Sequence, residues 1–263
     1  MPISAILINV RDIQRSVDFY TTHLGAQLVG EVTRDRADLD LVTATVHLAR
    51  TEDSELSTWI PDDLQKGFRH VGFKVAAVDP MVAELDAAGV EFHLRPIDAA
   101  GGVRIAFFFD PDGTLLELVE GDVKYHDVHD VAAVERERSL GAPSRPTFDH
   151  LGVTAASLAS ISERYRSFGF GLVGSLHHTA DPRGFEIDYL RGGQTILEVF
   201  TFAATTVDRP IQTDAAGFAG LTIAAGDGGH EGTSAALGRA VGSDAYGNAR
   251  YADPDGLLVS VAP

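Results

Sequence analysis

Between Gly67 and Glu120 the chain alternates, winds and alternates again. In RHVGFKV, Val71, Phe73 and Val75 share one face, and His70, Gly72 and Lys74 share the other, the period of a strand. Asp79 is placed as an N-cap, Pro80 suits the first helical position and Gly89 closes a helix C-terminally. DPDG at 110–113 predicts a turn, because Pro presets φ and Gly accepts a positive one. LLELVE then reads as a strand in which Glu117 shares a face with Leu115 and Val119. The stretch is thus strand, helix, three strands. A carboxylate among apolar neighbours is costly unless it is paired or holds a metal. His70 and Glu117 are therefore the pair to explain.

The same order recurs. ISAILINV at 3–10 is a strand, Asp12 caps a helix that ends at Gly25, and AQLVGEV, DLDLVTA and TVHLAR follow as strands. A polar connector at about 52–66 separates this unit from the next. After residue 147, FDHLGVT is a strand, Ser157 caps a helix, and GLVGSLHH, FEIDYLR and QTILEVF are strands. GFAGLTIAA, a Gly-rich turn, a helix over TSAALGRAVG and a final ARYADPDGLLVSVAP complete a fourth unit. The repeats are visible as letters: LGAQLVG answers FGFGLVG, GFRHVGF answers GFAGLTI, and DPDG occurs at 110 and again at 253. Residues 123–146, with charge runs and a Gly/Pro/Ser end, read as an interdomain linker. A short surface helix across VAAVERER is the alternative, and neither version is expected to bear on a site. The expected domains are 1–122 and 147–263.

Composition narrows the function classes. A chain of 263 residues with 44% hydrophobic content can bury two ordinary cores. Its net charge of −17 argues against a nucleic-acid surface. The absence of cysteine removes disulfides and thiolate metal sites. No stretch approaches a membrane span and the N-terminus lacks a basic segment followed by an apolar run, so the expected location is cytoplasmic.

NVRDIQRSVDFYTTHLG, RHVGFKVAAVD and DPDGTLLELVEG in the first half, with FDHLGVTAASLASISERYRSFGF, GQTILEVF and DPDGLLVSV in the second, resemble the vicinal oxygen chelate superfamily. That superfamily includes glyoxalase I, methylmalonyl-CoA epimerase, extradiol dioxygenases and bleomycin-resistance proteins. The resemblance covers nearly the whole chain. It implies an α+β fold of four βαβββ units paired into two glyoxalase-like domains that form open β cups, with a metal on the concave face. It also implies where ligands belong: a His in each unit pair's opening strand, a His opening the next unit, a Glu four residues past DPDG, and often a Glu on the last strand of the first unit. The N-terminal half has Ala5 and the neighbourhood of Leu48 at two of these positions but keeps His70 and Glu117. The C-terminal half has Gly220 and Ser260 but keeps His150 and Glu198. Each half keeps what the other lost. If the second unit faces the third, one complete His70/Glu117/His150/Glu198 set assembles and the remaining pairing is a dead pseudo-site.

A strand histidine is ordinarily a core or surface residue. His70 and His150 stand apart because both hold the motif position and both are followed two residues later by Gly on the same face. Glu198 has the alternative of an ordinary edge-strand carboxylate. His177 and His178 point to opposite faces, so one of them can line a cup; Arg104, Phe107 and Phe109 are further lining candidates, and the DPDG runs are turns rather than metal motifs. Two imidazoles and two carboxylates without thiolate suit one divalent ion: Ni, Co, Zn, Mn or Fe. Such an ion would keep about two positions for vicinal oxygens of a small-molecule substrate. The resemblance implies a lyase, isomerase or epimerase acting through a metal-bound enediolate, with Glu198 and Glu117 as the catalytic carboxylates and Glu198 preferred. An Fe(II) ring-cleaving dioxygenase and a metal-free small-molecule binding or resistance protein are the alternatives. The expected assembly is a monomer or homodimer without nucleic-acid or membrane partners.

Overall fold

The computed structural model describes residues 2–52, 59–224 and 236–262. The first unit is β1 (Ile3–Val10), α1 (Ile13–Leu24), β2 (Gln27–Val29), β3 (Arg36–Asp40) and β4 (Thr45–Arg50). The second is β5 (Gly67–Lys74), α2 (Val78–Ala87), β6 (Phe92–Asp98), β7 (Arg104–Phe109) and β8 (Leu115–Glu120). A short strand β9 (Asp127–Val128) and helix α3 (Val131–Leu140) lie between the halves. The third unit is β10 (Thr147–Thr154), α4 (Leu158–Arg166), β11 (Gly171–His178), β12 (Phe185–Gly192) and β13 (Thr195–Phe202). The fourth contributes β14 (Gly217–Ala224), β15 (Arg239–Ser243), β16 (Ala249–Ala252) and β17 (Leu258–Ala262).

The expected caps form where local sequence controls them. Asp12 and Ser157 each accept an N–H three residues on, from Arg15 at 3.0 Å and Ser160 at 3.2 Å, and Gly25 ends α1 at φ 60°. Helix α2 differs: it starts at Val78, ahead of Asp79 and Pro80, because the Glu120 carboxylate of β8 caps the Val78 N–H at 2.8 Å. A tertiary partner displaced the local one, and Asp79 instead pairs with Arg104 at 2.7 Å. The helix expected over 233–242 is corrected at its C-terminal end: Ala236 and Leu237 are helical, but Arg239–Ser243 is strand β15, and 233–235 lie outside the described residues. The Gly-rich turn before it and part of the 52–66 connector lie outside the described residues.

Two mixed sheets organise the molecule, and each draws on both halves of the chain. One runs β15-β16-β17-β14-β1-β4-β3-β2 and joins the first unit to the fourth; the other runs β6-β7-β8-β5-β10-β13-β12-β11-β9 and joins the second to the third. At each centre two strands from different halves pair antiparallel: β1 with β14, and β5 with β10. Within a half, the units meet through a helix and a DPDG turn. Tyr20 of α1 donates to Asp110 at 2.9 Å, and Tyr165 and Arg164 of α4 both reach Asp253 at 3.1 Å. Asp110 and Asp253 also accept the turn's own N–H groups, from Asp112 and from Asp255, each at 2.9 Å. These carboxylates are occupied by turn and helix, as the turn reading expected.

Candidate metal centre

The four strands β8, β5, β10 and β13 are consecutive in the nine-stranded sheet. Across the central pair His70 faces Gly152 and His150 faces Gly72; on the flanks Gly72 faces Glu117 and Gly152 faces Glu198. The four side chains are thereby set on one face about a local two-fold axis between β5 and β10. The glycines are needed for space. A Cβ on Gly72 would sit 2.0 Å from the His150 ring, and one on Gly152 would sit 2.2 Å from the His70 ring. Each imidazole occupies the room its partner strand leaves empty.

His70, Glu117, His150 and Glu198 are at most 9% exposed, and one donor atom from each lies within 4.8 Å of all the others. The two Nε2 atoms are 2.9 Å apart. Glu117 lies 3.2 Å from His70 and 2.8 Å from His150, and Glu198 lies 3.1 Å and 3.5 Å from them. Adjacent ligands around an ion with bonds of about 2.1 Å stand roughly 3 Å apart, so these separations suit a single ion. Two carboxylates balance a divalent charge and the donor set is all N and O. The residues fit such a group.

Burial lowers the pKa of each imidazole, but the carboxylates outweigh it, mainly Glu117 for His70 and Glu198 for His150, and leave both raised. The same imidazoles overcome burial at Glu117 and hold its pKa low. In His150 the second ring nitrogen is fixed as well: Nδ1 lies 2.9 Å from Asp149 Oδ2. Strict alternation would send Asp149 to the opposite face. A register slip between the Phe148–Phe73 and His150–Gly72 pairs makes Asp149 the extra residue of a bulge and turns it to the same side. A carboxylate on Nδ1 directs the Nε2 lone pair to the centre. Replacing Asp149 by asparagine is expected to weaken metal binding about 10–100-fold, measured by chelator competition, with the circular dichroism spectrum unchanged.

The centre lies at the floor of a cavity of about 510 Å³. Phe107 and Tyr189 flank it from the next strands out, opposite Glu117 and Glu198. Burial and then the Glu198 charge raise the Tyr189 phenol, which keeps its proton and bonds Glu198. His178 lines the cavity, whereas His177 is turned out between Glu186 and Asp127. Phe107 lines it as well; Arg104 pairs with Asp79 and Asp98, and Phe109 packs on Trp59 at 5.1 Å. The segment read as a linker without bearing on the site does bear on it: Glu137 of α3 and Val123 line the cavity, and Arg191 holds Glu137 at 2.8 Å. Asp149, Tyr189 and Glu137 went unnoticed in the sequence. Only Tyr189 left a signal there, as the residue that hairpin register puts opposite Glu198.

The other sheet shows what replaced its ligands. Leu7 pairs with Gly220 and with His47, and Thr222 pairs with Ser260, so the register equivalent of Glu198 is His47 rather than Leu48, and that of Glu117 is Ser260. Leu48 is fully buried in the core on the opposite face. Tyr246 stacks on His47 at 4.1 Å, donates to Asp38 at 2.6 Å and packs over Leu7, Ala49 and Ala219. Where the first cup has room above a glycine, this one holds Leu7 and a tyrosine ring.

The family model described as Glyoxalase/Bleomycin resistance protein/Dioxygenase superfamily matches residues 3–118. The uncharacterized protein YwkD of Bacillus subtilis is 34% identical over 121 residues, covering 44% of this chain and 93% of that one. The uncharacterized protein YaeR of Escherichia coli is 32% identical over 119 residues, covering 44% and 92%. Among solved structures, glyoxalase I from Zea mays superposes with a TM-score of 0.68 at 17% identity, over 99% of this chain and 91% of that one. That likeness speaks to the fold.

Proposed function

Because this chain belongs to the Glyoxalase/Bleomycin resistance protein/Dioxygenase superfamily, we propose that it is a divalent-metal-dependent, glyoxalase-like lyase, isomerase or epimerase with one site, built between the halves 1–122 and 147–263 acting as two domains. The observation that carries this reading is the convergence of His70, Glu117, His150 and Glu198 at the floor of the large cavity. A bound ion would supply Lewis-acid charge for two vicinal oxygens of a small molecule. His70 and His150 hold, and Glu117 adds charge. Glu198 is the base of choice: it stands farther from His150 than Glu117 does, at 3.5 Å against 2.8 Å, and it accepts from the protonated Tyr189. A carboxylate so placed can take a proton from the carbon beside the substrate oxygens and return it. Phe107 and Phe200 keep water from that carbon, their rings 5.1 Å and 5.9 Å from His70.

The test begins with metal analysis of the purified chain, for which one equivalent is expected. Exchange of the α-proton of an α-hydroxy ketone with solvent deuterium, followed by NMR, then reads the chemistry. Glu198→Gln is expected to slow that exchange at least about 100-fold. A metal-free protein, or oxygen uptake on a catechol by the ferrous form without proton exchange, would overturn the reading.

A further inference from the structure

The body of the substrate is constrained by the walls of the cup. Ile97, Ile105 and Val119 face it from the second unit, and Leu176, Ile187 and Phe200 from the third. Among the described residues, Lys74 is the one Lys or Arg lining it. Its ammonium is committed to the Gly121 carbonyl and to Asp122 at 3.0 Å. Residues 53–58 and 225–235, outside the described set, contain neither Lys nor Arg. The carboxylates Asp63, Asp98, Glu137 and Asp149 also border the cavity. The cations behind them are matched: Arg69 with Asp63 at 2.9 Å, Arg104 with Asp98 at 3.0 Å and Arg191 with Glu137 at 2.8 Å. Burial and then His126 lower the pKa of His178, so it adds no positive charge at neutral pH.

We propose that the cup selects a substrate with an uncharged, apolar body and rejects anionic ones such as phosphate esters, nucleotide conjugates or acidic thiol peptides. An anion entering it would lose hydration and meet no free counter-charge, while the aliphatic walls reward an apolar body. A volume of about 510 Å³ suits a small organic molecule rather than a bulky cofactor conjugate. The position of the vicinal oxygens rests on the metal-centre reading; the preference for the body does not.

The test compares two chelating probes with the same head, 4-tert-butylbenzohydroxamic acid and 4-sulfobenzohydroxamic acid, by calorimetry on the zinc-loaded full chain. The butyl probe is expected to bind at least about tenfold more tightly. Ile97→Lys, a substitution at a rim position 42% exposed, is expected to narrow that ratio at least about threefold by offering the sulfonate a partner. Equal or tighter binding of the sulfonate by the unsubstituted protein would overturn the proposal. Displacement of Nile red from metal-free protein by 4-tert-butylphenol and 4-tert-butylbenzenesulfonate separates the two readings. A preference for the phenol there, in a chain that takes up no metal, retains the apolar cup and sinks only the metal centre.

Discussion

Replacing His70 or His150 by alanine is expected to remove metal binding, each by itself, although the two residues are 80 positions apart and come from different halves of the chain. Their Nε2 atoms are 2.9 Å apart, and Glu117 and Glu198 each lie within 3.5 Å of both. An ion that loses one imidazole keeps three donors, with two carboxylates against a single neutral ligand. Affinity is expected to fall by at least about 100-fold, beyond the loss assigned to a supporting carboxylate. Metal content after dialysis, with calorimetric titration of the reloaded proteins, reads the result. Full occupancy in either variant would dissolve the shared centre. The alanine leaves a small hole in a sheet that already pairs correctly, so folding is expected to persist, and thermal unfolding checks it.

The second large effect is expected from a single methyl group. In Gly72→Ala or Gly152→Ala the new Cβ would stand 2.0 Å or 2.2 Å from an imidazole of the opposite strand. No side chain tolerates that approach, so the ring or the strand must move. The centres of β5 and β10 are held by paired strands on both sides, which leaves the ring to yield. Overpacking of this kind costs about 1–3 kcal/mol of stability. The greater consequence is for function, because a displaced Nε2 no longer meets the other three donors. Metal affinity is expected to fall as far as in the histidine variants while the protein remains folded. Urea unfolding and metal titration on the same samples separate the two effects. A variant that binds metal normally would show that the ring has a second place to go.

The fourth unit illustrates why patterning is an incomplete guide. The expected helix over TSAALGRAVG stops early: Ala236 and Leu237 are helical, yet Arg239 and Ala240, both good helix formers, belong to an edge strand, Arg239–Ser243, that pairs with Ala249–Ala252. Tertiary pairing outweighs a propensity worth tenths of a kcal/mol per residue. The misplacement of Leu48 has a related cause. Neighbouring strand residues face opposite sides, so an error of one position exchanges a cup residue for a core residue, and only the register with Leu7 puts His47 in the cup.

The sequence by itself determined the four-fold repetition, the βαβββ order of the first three units, the caps at Asp12 and Ser157, the DPDG turns and four residues whose types suit one ion. Those features are local, or are repeated letters, and need no knowledge of what lies opposite. It also held the complementarity of the halves, from which a shared site follows if the second unit meets the third. Only the tertiary structure decided that they do meet, that Gly72 and Gly152 make room for the facing imidazoles, and that a bulge swings Asp149 behind His150. It also brought α3 to the cavity wall and filled the second cup with Tyr246. Each of these depends on register or on contacts between distant segments, where one residue of slip or one bulge changes which face a side chain serves. No one-dimensional pattern carries that information.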